Sequence, residues 1–284
     1  MSKVAIVTDS TAYIPAELAK QLNITVVPLI LIWGEESYRD GVDMLPEDFY
    51  KRMANSKEIP TTSQATMLSM KNAFEGLLGQ GDDVLGLFIS SRLSGTVQSA
   101  LQAREMMQKG QDKIAIIDSL ATTMALGWPV LTAARAAAAG ENLVDCQKLA
   151  EKARDQTGVM FVVETLEYLR RGGRIGGAQA MLGTLLNVKP LLELKDGRIE
   201  SVEKIRTKKQ ALARMLDLVE EKIAGRSPIR LATVHANAEA EALSLLETAK
   251  QRFNPIESLQ SPLSPVIGTH AGPGTLALAF MTGF

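Results

Sequence analysis

The chain has 284 residues, of which 46% are hydrophobic and 22% charged, and its formal net charge is −1. This length allows one large domain or two ordinary ones, and the balanced charge gives no reason to expect nucleic acid or an anionic membrane as the principal partner. The only cysteine, Cys146, excludes an internal disulfide, and the two histidines are too few for a typical Cys/His zinc site. We therefore expect a cytoplasmic protein.

The first half of the chain alternates strand-like and helix-like segments. Apolar runs rich in β-branched residues predict strands at residues 4–8, 25–32, 84–89 and 114–117. Amphipathic or apolar stretches predict helices at residues 14–22, 45–53, 66–78, 97–107 and 120–139. Pro129 and several polar residues interrupt the last stretch, which predicts a buried helix, kinked or restarted at Pro129, and no membrane span. Such alternation predicts a mostly parallel sheet covered by helices.

The second half has a different pattern. Asp196 and Gly197 separate two short apolar segments and predict a β-hairpin over residues 191–200. Further along, helices are predicted at residues 208–223 and 238–252, and strands at residues 229–234 and 257–259. A hairpin combined with βαβ units indicates a mixed sheet. We predict an α/β protein with two domains, residues 1–157 and 158–284.

Residues 90–96, Ser-Ser-Arg-Leu-Ser-Gly-Thr, lie between a predicted strand and a predicted helix. Unpaired backbone N–H groups and the positive end of the helix dipole meet at such a junction. The segment therefore predicts an anion site, in which Ser94 either contacts the anion or only caps the helix.

Three other polar segments are candidates for the same site. Thr61, Thr62 and Ser63 precede a predicted helix, and only one of two adjacent threonines in an extended segment can face a ligand. They are alternatively a plain helix cap. His270 lies between glycines and is either a structural residue or a ligand contact. The third candidate is a basic group, which consists of Arg170, Arg171, Arg174 and Arg206. It forms either a solvated face or a site for phosphate or an acidic partner.

Catalytic spacings are missing from the chain. No nucleophile elbow or phosphate-binding Walker loop occurs, and the acidic residues are scattered without a pairing that marks a general acid and base. We therefore expect the anion to be held without being transformed.

Together these segments resemble the DegV family, fatty-acid-binding proteins that serve as carrier subunits of bacterial fatty acid kinase. The resemblance spans essentially the whole chain, and departs from the family where Ala65 replaces a frequent proline and where the chain ends soon after the last apolar segment. Its motifs are Val-Thr-Asp-Ser-Thr (7–11), Pro-Thr-Thr-Ser-Gln (60–64), Ser-Ser-Arg-Leu-Ser-Gly-Thr (90–96), Leu-Arg-Arg-Gly-Gly-Arg-Ile (169–175) and Thr-His-Ala-Gly-Pro-Gly-Thr (269–275).

The resemblance implies a long-chain fatty acid in a tunnel between the domains, with its carboxylate held by Thr62 and Ser94 and close to His270. It implies no cofactor and no catalysis by this chain, because an ATP-dependent kinase would phosphorylate the carboxylate. Additional ligand-site candidates are Ser10, Thr61, Ser63 and Gly95. The basic group, comprising Arg170, Arg171, Arg174 and Arg206, would face the kinase or the new phosphate.

Two alternatives stay open at this point. One is a stand-alone enzyme acting on a small phosphorylated or carboxylated metabolite, with Ser94 or His270 as a catalytic residue. The other is a lipid-sensing regulator that reports to a different partner. An open, polar cleft would favour the enzyme, whereas a narrow apolar tunnel would favour the fatty acid carrier.

Overall fold

The computed structural model describes residues 3–182 and 188–284. In its first part, four parallel strands form a sheet in the order β2-β1-β6-β7, as the alternation of elements predicted. The elements are β1 (Val4–Asp9), α1 (Ala16–Gln21), β2 (Thr25–Val27), β3 (Ile30–Trp33), β4 (Glu36–Arg39), α2 (Pro46–Asn55), β5 (Thr61–Ser63), α3 (Met67–Gly79), β6 (Asp83–Phe88), α4 (Thr96–Glu105), β7 (Ile114–Asp118), α5 (Met124–Ala138) and α6 (Leu143–Arg154).

The prediction of one strand over residues 25–32 is wrong. Strand β2 pairs with β1, whereas β3 belongs to a separate antiparallel sheet in the order β4-β3-β5. Pro28 separates the two strands, and proline has no N–H with which to continue a strand ladder. The break allows the chain to leave the parallel sheet and bring β5, which carries Thr62, against β3.

The helix predicted over residues 120–139 begins later, at Met124, and runs through Pro129 without restarting. Leu120 and Thr123 both have positive φ angles, 52° and 58°, so this part of the chain cannot be helical. Residues Met124 to Leu131 are all buried.

The second part of the chain forms a six-stranded mixed sheet in the order β10-β9-β8-β13-β11-β12, in which only β11 and β12 are parallel. The predicted mixed sheet and hairpin are therefore confirmed, and the positive φ angles of Asp196 and Gly197 suit a primed turn. The elements are β8 (Thr157–Val162), α7 (Glu167–Arg171), β9 (Lys189–Lys195), β10 (Arg198–Ile205), α8 (Lys208–Ile223), β11 (Ile229–His235), α9 (Glu239–Phe253), β12 (Glu257–Pro262), α10 (Pro265–Ala271) and β13 (Leu276–Thr282).

Helix α5 joins the two main sheets. It contacts β1 and β6 of the parallel sheet and β8 and β13 of the mixed sheet. The largest cluster of buried apolar residues likewise includes side chains from both halves, such as Phe88, Trp128 and Ala279. The predicted domain boundary between residues 157 and 158 lies at the start of β8. Residues 1 and 2 of the first predicted domain lie outside the described residues, which begin at Lys3. In the described part of the chain, no helix combines the length and apolarity needed to cross a membrane.

Candidate functional site

A narrow cavity lies between elements of the two halves. Its empty volume is about 870 Å³, part of it open to solvent, and little of that space is wide enough for a water molecule. Side chains from β8, β9 and α10 meet others from the loops that follow β2 and β6. The apolar part of the wall includes Leu29, Ile89, Val159, Phe161, Leu263 and Ile267. This lining suits a long apolar ligand.

Thr62 and His270 meet in the wall of this cavity although they are 208 positions apart in the chain. The Thr62 hydroxyl Oγ1 lies 2.8 Å from Nε2 of His270, while Nδ1 of the same ring is buried and has no partner within the described residues. Strand β5 supplies Thr62 through its pairing with β3, and α10 supplies His270 in its last turn. Burial and, second, the positive charge of Arg174 lower the pKa of His270 to about 4, so the imidazole is neutral at neutral pH.

The glycine-rich loop after α7 packs directly behind His270. A Cβ atom on Gly172 would lie only 2.0 Å from His270 Nδ1, so no larger residue fits there without moving the ring. Arg174 follows in the cavity wall, where its Nε donates to the Leu93 carbonyl at 3.1 Å and its Nη1 donates to the Gly172 carbonyl at 2.7 Å. The loop therefore fixes both the imidazole and the guanidinium.

Ser94 also lines the cavity, but it does not cap helix α4. That helix begins at Thr96, its N-cap is Gly95, and no side chain makes a capping bond. The Ser94 hydroxyl lies 2.9 Å from the buried Thr96 hydroxyl, and either group can donate. A Cβ atom on Gly95 would lie 3.1 Å from the side chain of Gln64, which joins this loop to the end of β5. We call Thr62, Ser94, Arg174 and His270 the headgroup cluster.

The remaining candidates from the sequence fall in several places. Thr62 and Ser63 line the cavity, whereas Thr61 is exposed, so of the two adjacent threonines only Thr62 faces the cavity, as expected. Ser10 does not line the cavity. Its hydroxyl donates to Asp40 at 2.7 Å and accepts the Leu29 N–H at 3.1 Å. Residues 61–63 do not cap helix α3. Thr66 caps it instead, because its side chain accepts the Ser69 N–H.

The four arginines of the basic group separate in the structure. Arg170 and Arg171 are exposed on α7, where both pair with Glu167 and lower its pKa to about 2. Arg206 is exposed just after β10. Arg174 alone lies in the cavity wall, which differs from the outward-facing position predicted for the whole group.

Several cavity residues were not among the sequence candidates. Gln64 belongs to a quoted motif, but its type alone did not distinguish a ligand contact from a loop residue. Thr122 and Thr123 also line the cavity, and both have buried hydroxyls without a hydrogen-bond partner in the described residues. Their signal was a polar pair that interrupts an otherwise apolar stretch.

A second buried polar group lies beside the cavity, and we call Asp9 and Asp40 the acid pair. Asp9 accepts the Thr11 N–H and hydroxyl and, with its other oxygen, the Ile89 N–H at 2.7 Å. Asp40 accepts the Ser10 hydroxyl and the Val266 N–H. Burial raises the pKa of both carboxyls, to about 6 for Asp40, where the negative charge of Asp9 adds to the effect.

No group of three or more acidic, histidine or cysteine side chains that could bind a metal ion occurs in residues 3–182 and 188–284. The headgroup cluster instead combines hydroxyl groups, a neutral imidazole and a guanidinium. Groups of these types hold carboxylates in proteins by hydrogen bonding and charge.

Comparison with known proteins places this arrangement in a family. The model of the DegV family, described as uncharacterised proteins, matches residues 3–283. The chain belongs to the DegV family. Protein DegV of Bacillus subtilis is 36% identical over 280 residues, which cover 98% of each chain. A DegV domain-containing protein of Clostridium acetobutylicum is 38% identical over 281 residues, also covering 98% of each.

Solved structures of the DegV family resemble the whole chain. A family member from Thermus thermophilus that binds fatty acid is 35% identical, with a TM-score of 0.92 over 99% of this chain and 100% of the other. DegV of Bacillus subtilis, a fatty acid binding protein, is 36% identical, with a TM-score of 0.90 over 100% of both chains. The α/β fold with one parallel and one mixed sheet is therefore that of the DegV family.

Proposed function

We propose that this DegV family member binds one long-chain fatty acid in the cavity, with its carboxylate at the headgroup cluster, and makes no bonds itself. The observation that carries the proposal is the narrow apolar cavity whose wall contains the Thr62–His270 pair. Fatty acid binding by two similar DegV family structures supports it. The apolar lining also argues against a stand-alone enzyme for a small polar metabolite.

Binding energy and specificity would come from different parts of the cavity. Burial of the acyl chain contributes roughly 0.8 kcal/mol for each methylene group. The carboxylate contributes only if it is paired, because an unpaired buried charge is strongly unfavourable. Thr62, Ser94 and Arg174 line the cavity, and their hydroxyls and positive charge would meet that requirement.

The tautomer of His270 determines whether the Thr62 hydroxyl can donate a hydrogen bond to the carboxylate. A proton on Nε2 has an acceptor in Thr62 Oγ1, whereas a proton on Nδ1 would be a buried donor without one in the described residues. The Nε2–H tautomer is therefore favoured. Thr62 then accepts from the imidazole, and its own O–H remains available to donate to the carboxylate.

We further propose that the protein presents this carboxylate to an ATP-dependent kinase in the cytoplasm. A carboxylate oxygen would attack the γ-phosphorus of ATP, giving an acyl phosphate and ADP. Three exposed cations could contact the kinase or the new phosphate, namely Arg170, Arg171 and Arg206. For Arg170 and Arg171 the support is their position, since Gly172, which follows them directly, packs against His270.

The direct test of fatty acid binding is native mass spectrometry of the purified protein, followed by organic extraction and identification of the extract. We expect one long-chain fatty acid for each chain. If delipidated protein fails to bind any long-chain fatty acid but binds a small phosphorylated metabolite, the carrier proposal is wrong.

The Ser94→Ala variant tests the position of the carboxylate. A hydrogen bond to a charged group contributes about 1.5–3 kcal/mol, so the variant should bind fatty acid roughly tenfold to a hundredfold more weakly. Displacement of a fluorescent fatty acid measures the change. Ser91→Ala, in the exposed part of the same loop, is the matched control and should bind normally. Equal affinities for both variants would remove Ser94 from the site.

Charge reversal on α7 tests the kinase proposal. Arg171→Glu should leave fatty acid affinity unchanged and lower acyl phosphate formation by the kinase, because Arg171 lies outside the cavity. Lys148→Glu on helix α6 provides a control of the same charge change. Normal turnover with Arg171→Glu would mean that this part of α7 does not contact the kinase.

A further inference from the structure

Thr122 and Thr123 form a second polar region in the wall of the cavity. Both residues line it, and their exposed fractions are only 7% and 6%. Neither hydroxyl has a hydrogen-bond partner among residues 3–182 and 188–284. A buried hydroxyl without a partner is destabilising, so two adjacent ones in an apolar wall require a physical reason.

Thr123 is unusual in two additional ways. It is the N-cap residue of α5, a position where threonine normally accepts a backbone N–H, but its side chain makes no capping bond. Its backbone has a φ of 58° and a ψ of −155°, which is a rare and strained conformation for a β-branched residue. The fold therefore holds this hydroxyl away from its usual local partner.

Other hydroxyls in the cavity wall differ from these two, because they have partners. Thr275 donates to the carbonyls of Ala271 or Gly272, Thr62 is paired with His270, and Ser94 is paired with the Thr96 hydroxyl. Thr122 and Thr123 are thus the fully buried cavity hydroxyls that the described protein leaves unsatisfied. Hydroxyl groups both donate and accept, so their matching ligand group is another hydroxyl.

We propose that Thr122 and Thr123 form a subsite for an oxygen substituent on the acyl chain, so that the ligands include hydroxylated long-chain fatty acids. The inference rests on the proposed function, because it places the chain of a bound fatty acid along this wall. In a purely apolar cavity a hydroxylated chain would bind more weakly than a plain one, because its hydroxyl loses water without compensation. Here the two threonines would compensate that loss.

The experiment compares stearic acid with a set of positional isomers of hydroxystearic acid by displacement of a fluorescent fatty acid. We expect one isomer, whose hydroxyl reaches Thr122 and Thr123, to bind about two- to tenfold more tightly than the others. In Thr122→Val, which keeps the shape and removes the hydroxyl, this preference should disappear. Thr123→Val should act in the same direction.

A matched control is Thr233→Val in β11. Thr233 also has a buried hydroxyl without a partner in the described residues, but it does not line the cavity. This variant should keep the isomer preference of the unmodified protein. If the unmodified protein binds stearic acid but shows no preference among the isomers, the subsite does not exist. If stearic acid itself does not bind, the proposed function is wrong, and the two failures are therefore distinguishable.

Thermal unfolding without added ligand gives a second measurement. Replacing an unsatisfied buried hydroxyl by a methyl group of similar shape should raise the midpoint temperature of Thr122→Val. A hydroxyl retained at a cost in stability is the behaviour expected of a binding residue. A lower midpoint temperature together with an unchanged isomer preference would assign Thr122 a structural role and overturn the proposal.

Discussion

The headgroup cluster and the acid pair both bury polar groups, but they differ in how far the protein itself satisfies them. The two oxygens of Asp9 accept three hydrogen bonds from Thr11 and Ile89, all within the fold. In the headgroup cluster, His270 has one paired nitrogen and one without a partner in the described residues. Complete satisfaction is typical of a structural group, whereas spare hydrogen-bonding capacity beside a cavity is typical of a binding site.

The largest expected effect tests the structural side of this comparison. Asp9→Ala leaves two buried N–H groups and the Thr11 hydroxyl without their acceptor, so the free energy of unfolding should fall by about 3 kcal/mol or more. Denaturant unfolding measures the change, and Asp112→Ala at an exposed turn should have almost no effect. A loss of the same small size in both variants would contradict a structural role for Asp9.

Asp40 gives the next largest effect, through pH. Its folded-state pKa of about 6 exceeds its ordinary value of 3.8, so the folded protein binds this proton more tightly than the unfolded chain. Its contribution to stability is therefore full below about pH 4 and is lost as the pH rises through about 6, amounting to roughly 2–3 kcal/mol. Asp40→Asn should remove this loss, and unfolding measured across that range would show it. A constant difference between the two proteins at every pH would contradict the raised pKa.

Arg174→Gln tests the binding side. Loss of the only guanidinium among the described cavity residues should weaken fatty acid binding roughly tenfold to a hundredfold, because a charged hydrogen bond to the carboxylate is lost. The matched control is Arg171→Gln, since Arg171 is exposed and paired with Glu167. Displacement of a fluorescent fatty acid gives both affinities, and equal affinities would exclude Arg174 from carboxylate binding.

The smallest expected effect is a change in the titration of His270. Without ligand its pKa is about 4, because burial and the Arg174 charge disfavour the protonated ring. A fatty acid carboxylate nearby should raise this pKa, and Arg174→Gln should raise it without ligand. Nuclear magnetic resonance of the ring protons follows the titration. An unchanged pKa after fatty acid binding would mean that the carboxylate lies elsewhere.

Local signals in the sequence were sufficient for much of the fold. Asp196 and Gly197 have the positive φ angles that their residue types favour, so the hairpin could be predicted from two residues. Pro28 also indicated a break between two strands, but the apolar residues on both sides of it led to the prediction of one strand and not of two strands in different sheets. Helix α5 begins late because Leu120 and Thr123 adopt backbone conformations that their residue types disfavour, and the surrounding fold must impose these.

The residues of the candidate site could be predicted from the sequence only where they belong to a recognisable motif. Thr62, Ser94 and His270 all lie in the cavity wall, but the pairing of Thr62 with His270 depends on how β5 and α10 pack. Arg174 could not be separated from Arg170 and Arg171 by residue type, because the turn at Gly172 and Gly173 redirects the chain between them. The polar pair Thr122 and Thr123 is visible in the sequence, but the missing hydrogen-bond partners of their hydroxyls are not, because partners are set by the packing of the fold.

Helix α5 has a consequence for how the protein unfolds. Because it packs against both main sheets and is buried over its first two turns, melting either sheet would expose buried apolar residues of this helix to water. The two sheets therefore share one stabilising element, and we expect them to unfold in a single cooperative transition. A cut between α6 and β8 would leave each fragment with an apolar surface that only the other fragment can cover.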